Sequence, residues 1–77
     1  MIVLKMILLD LKGNEHVFFL VKTKLINNNL ELKIVDINKE PVDYITKHHL
    51  MDTMLSQAPI KLDGIVGYIA KIELIIS

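Results

Sequence analysis

The chain has 77 residues, which is enough for one domain near the lower size limit for folding without a disulfide or a metal. It contains no cysteine, so no disulfide can stabilise it, and the core must come from a composition that is 52% hydrophobic. Nine basic residues, all of them lysine, balance nine acidic ones. This neutral, arginine-free balance gives no reason to expect a nucleic-acid partner.

The first predicted element is a strand over Ile2–Leu9. The run is short and almost unbroken in its hydrophobicity, which is typical of strands buried on both faces. A signal peptide would need a basic start and a small-residue cleavage site, and Asp10–Gly13 does not provide one. No stretch reaches the roughly 18 apolar residues of a membrane helix. We therefore expect a cytoplasmic protein with no membrane partner.

The second predicted element is a helix from Glu15 to about Asn27. Asn14 suits the N-cap position, and Glu15 in the first turn suits the helix dipole. The run Asn27–Asn29 would end the helix, because asparagine tolerates the left-handed conformation found at helix ends. Apolar residues recur at steps of three and four in this segment, namely Val17, Phe18, Val21 and Leu25.

A second strand and a second helix follow. Leu30–Ile37 alternates apolar and charged residues and predicts a strand. Strand, helix and strand form a βαβ unit, whose two strands are expected to be parallel. Asn38–Pro41 indicates a turn into a helix from Val42 to about Met51, with Pro41 at its first position.

The last third of the chain predicts a hairpin. Ser56–Pro59 ends the second helix, and Asp63-Gly64 is a favoured two-residue turn between the short strands Ile60–Leu62 and Ile65–Tyr68. Ala70–Ser77 would form a short terminal helix or a frayed end. The predicted order is β-α-β-α-β-β-α, in a single domain over residues 1–77.

This order, with a proline just before the third strand, resembles the minimal glutaredoxin form of the thioredoxin fold. Leu30–Pro41 resembles the second strand and following turn of glutaredoxins and of the redoxins that reduce ribonucleotide reductase. Gln57-Ala58-Pro59 looks like the family's cis-proline signature, and Gly67-Tyr68 stands where the family has a glycine-rich segment. The resemblance implies an α/β fold with a four-stranded mixed sheet and helices on both faces.

The chain departs from the family at its active-site turn. The family's C-x-x-C would fall at the start of the first helix, where this chain has Glu15-His16-Val17-Phe18. Reduction of a disulfide needs a thiolate that forms and releases a mixed disulfide, and neither a carboxylate nor an imidazole can do this. We therefore expect a redox-inactive, cysteine-free relative of glutaredoxin.

The resemblance also implies a binding groove that does not depend on cysteine. Pro59 would follow a cis bond, and the Ala58 backbone would pair with an extended peptide or with glutathione. The protein would then be a binding or regulatory module for a protein partner, such as ribonucleotide reductase or another redox enzyme. The groove is expected to contain Asn14, Glu15, His16, Gln57, Ala58, Pro59, Gly67 and Tyr68.

Other interpretations stay open. The chain could be a glutathione-dependent, transferase-like enzyme, a self-associating part that buries an apolar sheet, or a cysteine-replaced form of an active glutaredoxin. His16 could act as a general base or a metal ligand oriented by Glu15, but an exposed helix position is favoured because adjacent helix residues point about 100° apart. The same geometry argues against a metal at His48-His49, so no metal and no cofactor other than glutathione is expected.

A thiol–disulfide reductase assay is expected to show no activity, because the chain has no sulfur nucleophile. The measurement is reduction of a glutathione mixed disulfide by the purified chain in the presence of glutathione, followed as NADPH consumption by added glutathione reductase. Turnover above that of a blank without protein would contradict the expectation.

Overall fold

The structure of the chain, a computed structural model, describes residues 2–76. It contains six strands and, within those residues, one helix. In chain order the elements are β1 (Ile2–Asp10), β2 (Glu15–Ile26), β3 (Asn29–Val35), β4 (Pro41–Thr46), α1 (Lys47–Ser56), β5 (Ile60–Leu62) and β6 (Ile65–Ile76).

All six strands form one antiparallel sheet in the order β4-β3-β2-β1-β6-β5. The first four strands form a meander, and the β5–β6 hairpin adds to the free side of β1. Register shifts in β1–β6, β2–β3 and β3–β4 mark bulges, which increase the local twist and bend a sheet. The sheet therefore rolls into a barrel that stays open between the edge strands, where residues of β4 and β5 line one cleft of about 270 Å³.

The inner face of the rolled sheet carries the core. Side chains alternate between the two faces of a strand, and the even-numbered ones point inward over residues 4–8 of β1, 16–20 of β2 and 30–34 of β3. Leu50 of α1 and Leu62 of β5 pack against them. Each fully buried side chain of this kind contributes on the order of 2 kcal/mol of hydrophobic free energy. The buried cluster consists of Met6, Leu8, Phe18, Leu20, Leu32, Ile34, Leu50 and Leu62.

Helix α1 follows β4 in the chain and is capped at both ends. The Thr46 hydroxyl accepts a hydrogen bond from the backbone N–H of His49 at 3.1 Å. Gln57 adopts a left-handed conformation, with φ of 54°, and its N–H donates to the carbonyl of Met54. The helix has ten residues, and no helix within residues 2–76 is long and apolar enough to cross a membrane.

The predicted thioredoxin fold is wrong. The sheet has six antiparallel strands instead of four mixed ones, and one helix stands where helices on two faces were expected. Because the fold is different, the identification as a glutaredoxin-like protein is also wrong. The strands over Ile2–Leu9 and Leu30–Ile37 are confirmed as β1 and β3, but both pair antiparallel with β2.

The helix predicted from Glu15 to Asn27 is strand β2. Three of the four residues with helical spacing belong to a continuous apolar run, Val17–Val21. This run supplies both faces of a strand, because Phe18 and Leu20 point inward and Phe19 points outward. β-branched and aromatic residues favour such a pleated position. Antiparallel pairing with β1 then overrides the weak helical pattern.

The other two predicted helices are also corrected. The segment from Val42 to Met51 divides into β4 and the start of α1, and Pro41 begins an edge strand, where a missing N–H costs no ladder bond. The terminal segment is part of β6, which pairs with β1 up to Ile76, while Ser77 lies outside the described residues. The cis bond at Pro59 is wrong, because residues 2–76 contain no cis peptide bond.

The Asp63-Gly64 hairpin turn is confirmed. Leu62 pairs with Ile65 across the turn, and the two turn residues have φ of 51° and 78°. Positive φ at both central positions is the geometry that Asp-Gly favours in two-residue hairpins.

Gly67 allows β6 to approach β1 closely. A methyl group at this position would lie 2.4 Å from the carbonyl oxygen of Leu9, which is backbone and cannot move aside. We expect Gly67→Ala to lower the free energy of unfolding by about 1–3 kcal/mol, as other overpacked sites do. Urea denaturation followed by circular dichroism measures it.

Val66→Thr is the matched control, since Val66 is an exposed neighbour on the same strand and threonine keeps its β-branched shape. A loss within about 0.5 kcal/mol is expected for it. Equal stability of Gly67→Ala and the unmodified chain would contradict the close contact.

Candidate functional site

Five of the eight residues predicted to form one groove lie in two neighbouring places on the barrel. Glu15 and Pro59 border neither place: Glu15 points outward at the start of β2, and Pro59 is exposed just before β5. The first place is the β1–β2 loop, which contains Asn14 and His16, and the second is a groove beside the end of α1, which contains Gln57, Ala58 and Tyr68.

Asp10 organises the β1–β2 loop. One oxygen of its carboxylate accepts hydrogen bonds from the backbone N–H groups of Lys12 and Asn14, at 2.9 and 2.8 Å. The other oxygen lies 2.8 Å from Nε2 of His16 and accepts from the Asn14 side-chain amide at 3.3 Å. The His16 contact, followed by the Asn14 backbone N–H, holds the pKa of Asp10 well below its usual range.

This aspartate–histidine pair is half of a catalytic constellation. An Asp beside a His can orient an imidazole for general-base work, but a nucleophile would have to lie within reach. The remaining residues of the depression around the pair are Leu11, Lys12, Asn14, Gly64, Ile65 and Val66, and none carries a hydroxyl or thiol. The geometry supports a loop clamp that joins the ends of β1 and β2.

Sequence reasoning missed Asp10 as the centre of this loop. Its signal was an aspartate at the end of a strand, followed three residues later by glycine, because aspartate side chains accept hydrogen bonds from backbone groups two to four residues on. Gly13, with φ of 88°, closes the loop and donates its N–H to the Asp10 carbonyl at 3.1 Å.

The groove beside α1 has a volume of about 540 Å³. Gln57, Ala58 and Tyr68, predicted to lie together, do so here, along with the partly exposed Leu9 and Met54. The Ala58 N–H donates to the carbonyl of Thr53 at 3.2 Å and so belongs to the helix cap. Binding of a peptide or of glutathione by these residues stays a prediction.

Gly67 separates the two places. It is buried and pairs with Asp10 of β1 on one side and Ile60 of β5 on the other. Its lack of a side chain serves the packing of three strands.

A third feature, unpredicted, is the outer face of the sheet. Residues 2–76 place α1 against the inner face and no helix or strand over the outer one. The outward side chains of the central strands are nevertheless mostly apolar and only half-buried or less. They include Val3, Ile7 and Leu9 of β1, Val17, Phe19 and Val21 of β2, and Ile75 of β6.

A groove of about 610 Å³ crosses this outer face. We call it the outer groove. Four neighbouring strands form its floor, and the β3–β4 turn forms one wall. Six apolar residues and two lysines line it: Val3, Phe19, Val21, Val35, Ile37, Ile75, Lys33 and Lys39.

The charges on the outer face divide into a paired and an unpaired set. On β6, Lys71 and Glu73 form an ion pair at 2.6 Å, and their hydrogen bond raises the pKa of Lys71 and lowers that of Glu73. Lys5 of β1 lies opposite Glu73. Within residues 2–76, neither Lys33 nor Lys39 has a carboxylate within 4.0 Å.

The histidines do not form a metal site in the described part of the chain. His48 pairs with Asp52 at 3.3 Å on the exposed side of α1, and residues 2–76 bring no three potential metal-binding side chains together. The outer groove and the loop clamp are therefore the built features from which a function can be inferred.

Comparison with known proteins adds no relative. The sequence matches no protein-family model, no curated protein and no solved structure. Function has to be inferred from the geometry of this chain.

The loop clamp predicts a pH dependence of stability. The folded-state pKa of Asp10 is depressed, so its contribution is complete above the unfolded-state value of about 4 and is lost as pH falls through the folded value. The free energy of unfolding should therefore fall less steeply below about pH 4 in Asp10→Asn than in the unmodified chain.

Urea denaturation between pH 7 and pH 2 measures the difference. Glu40→Gln is the control, because it removes the same charge as Asp10→Asn. The Glu40 side chain makes no hydrogen bond or ion pair within residues 2–76. If the free energy of unfolding depends on pH in the same way in Asp10→Asn and in the unmodified chain, then protonation of Asp10 is not coupled to folding.

Proposed function

We propose that this chain is a binding module that holds a small apolar ligand in the outer groove. The observation that carries the proposal is the apolar outer face of the central strands, which no helix or strand within residues 2–76 covers.

The two faces of β1 and β2 are treated differently by the fold. Met6 and Leu8 on the inner face are fully buried, whereas the outward Val3, Ile7 and Val17 are half-buried. Strands that are apolar on both faces occur where both faces are covered. Covering apolar surface releases about 25 cal/mol per Å², so a ligand that fits this face gains from binding there.

The size of the groove favours a small ligand over a protein. Ligand sites in proteins commonly enclose about 300–1,000 Å³, and the outer groove has about 610 Å³. The floor of the outer groove crosses four strands, which together span about 14 Å, and includes at most two outward residues of each strand. The flat area of this floor is therefore on the order of 100–200 Å². A stable protein interface needs about 800 Å² on each partner, which is roughly 15% of the 5371 Å² surface of this chain.

The sheet edges support the same choice. Pro41 begins β4, and β5 has only three residues. Short edge strands and edge prolines are the features by which proteins avoid pairing with another chain. Association with another chain through an edge strand is therefore disfavoured, and the apolar outer face is the better candidate for a binding surface.

Titration with the neutral fluorescent probe N-phenyl-1-naphthylamine tests the proposal. We expect a saturable rise in fluorescence with one site per chain. Val21→Gln and Val3→Gln each place a polar amide in the groove, and each should weaken binding about tenfold, which corresponds to about 1.4 kcal/mol.

Val66→Gln is the matched control. Val66 is also an outward valine on a strand, but it lies outside the outer groove, so probe affinity should not change. Circular dichroism spectra of all variants show that they are folded. Binding that is absent in the unmodified chain, or equally weakened in Val66→Gln, would refute the proposal.

A further inference from the structure

We infer that the ligand of the outer groove is an anionic amphiphile, an apolar chain ending in a carboxylate, with Lys33 and Lys39 at its charged end. This inference rests on the proposed function and adds the chemical class of the ligand.

The two lysines lie on one side of the outer groove. Lys33 points outward from β3, between Val21 of β2 and Tyr44 of β4 in the strand register. Lys39 lies in the turn that follows β3. The opposite side, on β1 and β6, is formed by Val3 and Ile75. The groove is therefore cationic at the β3 side and apolar at the β6 side.

The turn that carries Lys39 is held in one conformation. Asp36 fixes this turn, because its side chain accepts hydrogen bonds from the backbone N–H groups of Asn38 and Glu40 at 2.8 and 3.0 Å. The Lys39 N–H donates to the Asp36 carbonyl at 3.0 Å, and Lys39 itself has a left-handed φ of 65°. A fixed backbone reduces the entropy lost when the side chain engages a ligand.

The positive charge of these lysines is uncompensated locally. The lining of the outer groove includes no acidic residue, and no carboxylate within residues 2–76 lies within 4.0 Å of either ammonium. Lys71, on the same face, shows the contrasting case, because Glu73 neutralises it. A chain with a carboxylate matches both the apolar floor and the unpaired cations, whereas a cationic amphiphile would place like charges together.

Calorimetric titration with dodecanoate and with dodecanol, both below their aggregation limits, tests this chemistry. The two probes share the chain and differ in charge. We expect dodecanoate to bind more tightly than dodecanol by about tenfold or more at low salt, since two exposed ion pairs can each add up to about fivefold. The advantage should shrink as salt is added.

The double variant Lys33→Gln/Lys39→Gln should lose this advantage and bind dodecanol as the unmodified chain does. Lys24→Gln/Lys61→Gln is the matched control, because it removes the same charge from exposed positions outside the groove. The single variant Lys39→Gln, in an exposed turn, gives a second test if the double variant folds poorly. Changes in the NMR chemical shifts of the Val21 and Val35 amides on addition of the probe would show that it binds in the outer groove.

The outcomes separate this inference from the proposed function. Equal affinity for dodecanoate and dodecanol, or equal loss in both double variants, overturns the anionic ligand and leaves an apolar groove. Failure of both probes overturns the inference, and failure of N-phenyl-1-naphthylamine to bind as well overturns the proposed function. Binding to vesicles of phosphatidylglycerol without binding of free dodecanoate would assign the surface to a membrane and also overturn the inference.

Discussion

The antiparallel register between β1 and β2 is the constraint on which the rest of the structure depends. It sets Met6 opposite Phe18 and Leu4 opposite Leu20, so that the inward side chains of two neighbouring strands meet on one face. A shift of one residue would turn every one of these side chains outward. Because the chain has no disulfide, this face, Leu50 of α1 and Leu62 of β5 must supply the core.

The same register determines the outer face. Alternation sends the remaining apolar residues of β1 and β2 outward, and the chain uses its helix on the inner side. On β6 the outward charges neutralise each other, whereas beside β3 two lysines are left without a nearby carboxylate within the described residues. A groove that is apolar at one side and cationic at the other is the combined result of strand order and charge placement, and it explains why binding is proposed here.

Part of the fold could be predicted from the sequence. The strands β1 and β3, and the Asp63-Gly64 turn with the short strand β5 before it, follow from local signals, namely a short apolar run, alternation and a favoured turn dipeptide. The thioredoxin fold was wrong because one segment, Glu15–Ile26, fits helical spacing and a two-faced strand equally well. If this segment is taken as a helix, β1 and β3 become parallel neighbours, and the element order matches that of glutaredoxins. That match implied a cis bond before Pro59, which the structure does not have within residues 2–76.

The two grooves also differ in how far the sequence could predict them. Gln57, Ala58 and Tyr68 were expected to meet and do, since a helix end and the following hairpin are near in sequence. The outer groove could not be predicted, because its residues are spread along the chain from Val3 to Ile75 and only the sheet order brings them together. The sequence alone thus determined a cysteine-free, aliphatic, single-domain chain with strands β1, β3 and β5, the start of β6 and the turn that joins β5 to β6. The tertiary structure decided whether Val17–Val21 is helix or strand, which face is covered and where unpaired lysines meet apolar surface, because these depend on long-range pairing that no local pattern encodes.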